Sequence, residues 1–187
     1  MTTVYFVRHA ESDHGAGNER SRGLSKRGMR DRERVTQYLS DKGIQAVFSS
    51  PYRRAVDTVS DMADREGLPI CCIEDFREWY RCADPTMDFQ MFCRRHWEDF
   101  DERYADGESL REVQARNIQA LGEILQSCAG QTVVIGTHGM ALSTVINFYD
   151  RTFGYGDFLH LLPRLPLIVK MTFDGMSCLS VEQIEVI

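Results

Sequence analysis

Short apolar runs alternate along this chain with stretches of helical spacing. Val4-Tyr5-Phe6-Val7 is continuously apolar and stops at Arg8-His9, the pattern of a short buried strand. Ala46-Val47-Phe48, ended by Ser49-Ser50-Pro51, predicts a second strand, and Pro69 to Ile73 a third. Thr132-Val133-Val134-Ile135-Gly136 is the strongest buried strand and runs into Thr137-His138-Gly139. Residues 166–173 and 178–186 predict two closing strands split by the turn signal Asp174-Gly175. Between the strands lie helices. Ser25 is a candidate N-cap for a helix to about Lys42, stopped by Gly43, with a narrow apolar stripe such as Val35 and Leu39. Ser50 as N-cap with Pro51 at the first helical position predicts another, burying Ala55, Val59, Met62 and Ala63. Ser109-x-x-Glu112 is a capping box ahead of Leu110, Val113, Ala120, Leu121, Ile124 and Leu125, and Gly130 ends that helix. A last helix is predicted from Met140 to about Tyr149. Alternating strands and helices imply one α/β domain over 1–187, a three-layer α/β/α sandwich on a mostly parallel sheet.

Two stretches interrupt the pattern. Residues 13–25 are rich in Gly, Asn, Ser, Arg and Asp and predict a loop carrying His14, Arg20 and Arg22. Residues from about 76 to 107 hold both tryptophans, Trp79 and Trp97, among many other aromatics. They predict a small helical insertion beside the sheet with its own core, near enough to cover a pocket. Residues 105–108 read as a turn.

Composition narrows the possibilities. The 187 residues suit a single core, and 43% hydrophobic with 27% charged residues is ordinary for a globular chain. A net charge of -6 argues against nucleic acid as a partner but leaves room for a local cationic pocket. No basic leader with an apolar run opens the chain and no run is long enough to span a bilayer, so no membrane partner and a cytoplasmic location are expected. The six cysteines form no C-x-x-C pair, and the five histidines lack metal-ligand spacing. Neither a disulfide framework nor a structural metal is expected.

The candidate chemistry lies where strands end. In open α/β sheets ligands bind beyond the strands' carboxyl ends, where Arg8-His9 and His138 would sit. Arg53 and Arg54 fall in a first helical turn, against the helix dipole, which makes sense if an anion binds there. Two histidines and two arginines, Arg8 and Arg54, describe a pocket for a dianion such as a phosphoryl group. A neutral imidazole at His9, kept unprotonated by neighbouring cations, can attack phosphorus, with the arginines and His138 holding the equatorial oxygens. Glycines around Thr137-His138 let backbone approach a ligand closely.

Val7-Arg8-His9-Ala10-Glu11-Ser12 resembles the R-H-G/A-E-S signature of the histidine phosphatase superfamily, the phosphoglycerate mutase-like group. Leu24-Ser25-x-x-Gly28, Ser49-Ser50-Pro51-x-x-Arg54-Ala55-x-x-Thr58, Gly107-Glu108-Ser109 and Gly136-Thr137-His138-Gly139 resemble further blocks in the family's order, over nearly the whole chain. The resemblance implies a phosphoglycerate mutase-like fold, phosphorylation of His9, phosphoryl binding by Arg8, Arg54 and His138, and no metal or other cofactor. It places Arg54 in the pocket and leaves Arg53 unassigned. Phe76-Arg77-Glu78 resembles the block that carries the family's proton donor, which makes Glu78 the candidate acid, with Glu74 and Glu11 as competitors. A bound dianion favours the neutral carboxyl, which can protonate a leaving oxygen.

Departures from the family's mutases bear on the substrate. Asp13-His14-Gly15 stands where mutases carry a W-N pair, the segment between Glu78 and His138 looks shorter, and the mutases' C-terminal tail is absent. These features favour a monofunctional phosphatase acting on a small phosphorylated metabolite over a bisphosphate-dependent phosphoglycerate mutase. A silent phospho-ligand binding protein is a third reading. Ser12 and Gly139 join the candidate substrate-binding set. Arg20 and Arg22, with Arg77 and Arg81, are candidates for a second anionic group. The sequence assigns no oligomeric state.

Overall fold

In the computed structural model, residues 1–15, 17–82 and 88–186 are described; residue 16 of the expected loop, 83–87 of the expected insertion and 187 lie outside them. The strands are β1 (Thr2–Arg8), β2 (Ala46–Ser49), β3 (Ile70–Cys72), β4 (Thr132–Thr137), β5 (Leu167–Asp174) and β6 (Ser177–Ile184). The helices are α1 (Lys26–Leu39), α2 (Arg53–Glu66), α3 (Phe89–Glu98), α4 (Leu110–Ser127), α5 (Gly139–Tyr149) and α6 (Tyr155–Leu161), with a 3₁₀ turn at Glu74–Phe76. The sheet runs β3-β2-β4-β1-β5-β6. β3, β2, β4 and β1 are parallel, and β5 and β6 add an antiparallel edge.

Period-two alternation divides the core between the two faces. Tyr5, Val7, Val134 and Ile168 pack on one side with Val35, Leu39, Val59 and Met62 of α1 and α2. Val4, Phe6, Val133, Ile135 and Val169 pack on the other with residues of α3, α4, α5 and α6. This is the three-layer α/β/α sandwich expected. β1 and β4 lie side by side at the centre, with Arg8 opposite Thr137. From β1 the chain crosses to β2 on one side, and from β4 to β5 on the other. The crevice at the carboxyl ends of β1 and β4 is therefore a topological switch point. Among the described residues no helix is long and apolar enough to cross a membrane.

Several boundaries differ from expectation. α2 begins at Arg53 with Tyr52 as its N-cap, two residues later than the Ser50-Pro51 signal places it. The Ser50 hydroxyl holds the Tyr52 N–H in a turn (3.2 Å) and meets His138, so it does not cap a helix. α1 ends at Leu39, short of Lys42, with Gly43 at a positive φ of 63° in the turn that follows. β3 is three residues long, two of them exposed at the sheet edge. The hairpin turns at Gly175-Met176. Among the described residues the aromatic region has no separate core: Phe76, Trp79, Phe92 and Trp97 belong to the main core, because α3 packs on α6. α6 had no counterpart in the sequence pattern, since only Phe158 and Leu161 of its seven residues are buried.

Candidate active site

The crevice is assembled by backbone hydrogen bonds between neighbouring strand ends. His9 N–H donates to the Thr137 carbonyl (3.1 Å), and Ser50 N–H to that of Gly136 (2.8 Å). His9 Nδ1 lies 2.7 Å from the Ala10 carbonyl oxygen. A carbonyl only accepts, so Nδ1 carries the proton and Nε2 keeps its lone pair. Thr58 on α2 anchors this turn, accepting from Ala10 N–H (3.0 Å) and donating to the Arg54 carbonyl (2.7 Å). Burial, reinforced by the Arg54 charge, holds the His9 pKa well below its ordinary value. Neighbouring cations are the expected cause; burial is the larger one.

His138, the N-cap of α5, is fully buried behind His9, their ring centroids 5.3 Å apart. Its Nε2 pairs with Ser50 Oγ (2.7 Å), and the Tyr52 ring packs edge-on against it at 5.1 Å. Burial, then Arg54, depresses its pKa as well.

Two arginines are buried beside these rings. Arg8 donates to the carbonyls of Leu161 and Arg164, and among the described residues it forms no ion pair with a carboxylate. Burial pushes its pKa down to about 10, which leaves it charged at neutral pH. Arg54, 2% exposed, donates to the Glu19 carbonyl (2.6 Å) and reaches the Glu19 carboxylate at 3.3 Å. Nε of Arg8, Arg22 and Arg54 and Nδ1 of His138 are buried without a hydrogen-bond partner. Buried donors of this kind are costly unless a ligand meets them. An anion is the ligand their charge selects. A Cβ on Gly139 would lie 3.2 Å from the Arg8 guanidinium, so the bare glycine lets that group pass under α5.

Glu78 shares the crevice with this cluster, and its charge acts on both Arg8 and Arg54. Oε2 accepts from Met140 N–H (3.2 Å), and Oε1 from Ala141 N–H (3.0 Å) and Trp79 N–H (2.9 Å). It therefore sits on the first turn of α5, directly after Gly139. Its competitors are engaged elsewhere. Glu74 is held below the usual carboxylate range by a bidentate pair with Arg20 (2.7 and 2.8 Å), and Glu11 accepts from the Ser25 hydroxyl (2.6 Å).

Arg8, His9, Ser12, Arg20, Arg22, Arg54, Glu78 and Gly139 all line one cavity of about 760 Å³, and His138 lies directly behind it. Arg53 points away and pairs with Asp57 (3.4 Å). Arg22 is tied to Glu19 (2.7 Å) and Arg77 to Glu108 (2.5 Å). Sequence reasoning missed four residues. Ser50 was read as a helix cap; Tyr52 and Glu19 occupy unpatterned positions; and Arg116 acts on Glu78 from the distant helix α4. No local spacing marks these partners.

A family model described as the histidine phosphatase superfamily (branch 1) matches residues 4–157. A Bacillus subtilis protein named uncharacterized phosphatase PhoE is 26% identical over 151 residues, covering 78% of this chain and 76% of its own. A Yersinia pestis protein named probable phosphoglycerate mutase GpmB is 28% identical over 159 residues, covering 79% and 74%. Among solved structures, a phosphoserine phosphatase mutant from Entamoeba histolytica in complex with phosphoserine superposes with a TM-score of 0.76. It is 18% identical, over 97% of this chain and 96% of that one.

Proposed function

The chain belongs to the histidine phosphatase superfamily, branch 1, a phosphatase-type hydrolase, and from that premise we propose that it is a metal-independent phosphomonoesterase working through a phosphohistidine at His9 on a small phosphorylated metabolite. The observation that carries this reading is the state of His9. Its Nδ1–H is committed to the Ala10 carbonyl and its ring is neutral. Its Nε2 lone pair remains beside two buried guanidiniums.

In the first step His9 Nε2 attacks phosphorus. The N–P bond forms as the bond to the leaving oxygen breaks, and Glu78 gives that oxygen its proton. Arg8, Arg54 and the unpartnered Nδ1 of His138 hold the equatorial oxygens as charge spreads over them. His138 takes part as a donor when the Ser50 hydroxyl donates to its Nε2, which places the ring's proton on Nδ1. Gly139 and Ser12 line the path of the ester. In the second step water attacks the phosphohistidine, its proton passes to the Glu78 carboxylate, the N–P bond breaks and inorganic phosphate leaves. The positive charge that this chemistry needs comes from arginines, so no metal is required.

The test is phosphate release from a panel of monoesters in the presence of EDTA, by wild type and His9→Ala. Wild type should turn over and the variant should fall to background; full activity in His9→Ala would overturn the mechanism. The name of the Yersinia relative supplies the second reading, a mutase. Adding 3-phosphoglycerate with 2,3-bisphosphoglycerate separates the two, since a mutase yields the isomer and a phosphatase yields inorganic phosphate. Tight phosphate binding without turnover of any ester would instead indicate a binding protein.

A further inference from the structure

We propose that the ester taken by this site is the monophosphate of an uncharged alcohol with a flat apolar body, seated on an aromatic wall that starts at Glu78. The inference rests on the phosphatase reading above, because the proton donor marks where the leaving oxygen goes.

In phosphoryl transfer the attacking and leaving atoms lie roughly in line on opposite sides of phosphorus. The acid must reach the leaving oxygen, so the organic half of the ester lies on the side of Glu78. Apolar residues line the cavity there, between Arg77 and Arg81 on either side of the Glu78 segment. Trp79 and Tyr80 follow Glu78 directly and line the cavity, with Phe89 at its mouth. Met140, whose N–H holds the Glu78 carboxylate, lines it too. Leu162 and Leu165, each next to a carbonyl that binds Arg8, complete the wall. Tyr80 and Phe89 are 51% and 39% exposed, large aromatic surfaces left open beside a deep polar site. The Arg81 guanidinium lies over the Phe89 ring at 4.8 Å and widens that flat surface. The cavity of about 760 Å³ falls in the ~300–1,000 Å³ range of small-molecule sites, and a phosphoryl group fills only a small part of it.

The cationic rim points the same way. Of the four arginines expected to meet a second anionic group, Arg20, Arg22 and Arg77 are already paired with Glu74, Glu19 and Glu108, and Arg81 lies over the Phe89 ring. A second carboxylate or phosphate on the ester would have to displace those carboxylates, and Glu19 and Glu74 themselves line the cavity. An uncharged body meets no such opposition.

The experiment compares kcat/KM for benzyl phosphate, ethyl phosphate and 3-phosphoglycerate. The first two release alcohols of similar acidity, so their ratio reports contact with the wall rather than the chemistry. Benzyl phosphate should exceed ethyl phosphate by about tenfold or more, as burying a phenyl ring implies, and should also exceed 3-phosphoglycerate. In Tyr80→Ala and Phe89→Ala, both at exposed positions, the benzyl-to-ethyl ratio should collapse while ethyl phosphate is still hydrolysed. Equal wild-type rates for the two esters, a preference for 3-phosphoglycerate, or an unchanged ratio in both variants would overturn the inference alone. No phosphate from any of the three esters would overturn the phosphatase reading, and this inference with it.

Discussion

Arg116 holds the segment that carries Glu78 more firmly than any neighbour in sequence. Its guanidinium donates to the carbonyls of Asp75 (2.6 Å), Arg77 (2.8 Å) and Glu78 (3.3 Å), and twice to the Glu108 carboxylate (2.9 and 3.0 Å). Glu108 in turn accepts from Arg77 and from Tyr80 N–H, so both ends of the Glu78 segment are fixed. Arg116 touches no reacting atom in the proposed mechanism; it positions the acid. Arg116→Gln should therefore lower kcat with little change in KM. The loss should be about ten- to a hundredfold for ethyl phosphate, a part of the ~10²–10⁴ that general acid catalysis supplies. Esters of acidic phenols leave without help, so p-nitrophenyl phosphate should be much less affected. An equal loss on both substrates would show damage to the fold rather than to the acid.

At the scale of elements, what was legible in the sequence and what was not separate by range. β1 and β4 announced themselves by apolar runs that end at Arg8-His9 and Thr137-His138, and the motif Leu24-Ser25-x-x-Gly28 has a local cause. Ser25 caps α1 through Gly28 N–H (3.0 Å) and donates to Glu11, and a Cβ on Gly28 would come within 2.1 Å of the Glu11 carbonyl oxygen. α1 is thus pressed against the turn that leaves β1. Gly28→Ala should cost about 1–3 kcal/mol, the usual penalty of overpacking, read as a lower urea midpoint at unchanged m-value. An unchanged midpoint would mean that the turn yields freely. What stayed illegible depends on partners far along the chain. The start of α2 moved because His138, 88 residues away, claims the Ser50 hydroxyl that local rules assign to a cap. α6 buries only Phe158 and Leu161, too few to reveal a helical period, yet it brings the Leu161 carbonyl to Arg8. The rim arginines looked free for ligand because their carboxylates are supplied from 54 and 31 residues away in Arg20–Glu74 and Arg77–Glu108.

For the molecule as a whole, a chain of net charge -6 keeps two arginines and two neutral histidines buried at the centre of its sheet, and that arrangement couples stability to pH. Both His9 and His138 have native pKa values depressed well below the ordinary 6.5, burial being the larger cause in each. The sign follows from proton counting. Above about 6.5 neither the native nor the unfolded chain protonates these rings, and the native state keeps its full stability. As pH falls below that value the unfolded chain gains protons that the native state refuses, so stability declines until the native values are reached. The decline is at most ~1.4 kcal/mol per pH unit for each histidine. Depressed carboxylates such as Glu74 act with the same sign, but only near and below their ordinary value of 4.5, which leaves the interval between to the histidines. Urea midpoints should therefore drop between about pH 7 and about pH 5.5 in the wild type and drop less in His138→Asn, which removes one of the two titrating rings. A wild-type midpoint flat across that interval would mean that the buried rings take up protons as readily as free ones. It would also confine the neutral imidazole on which the proposed attack by His9 depends to pH values above about 6.5.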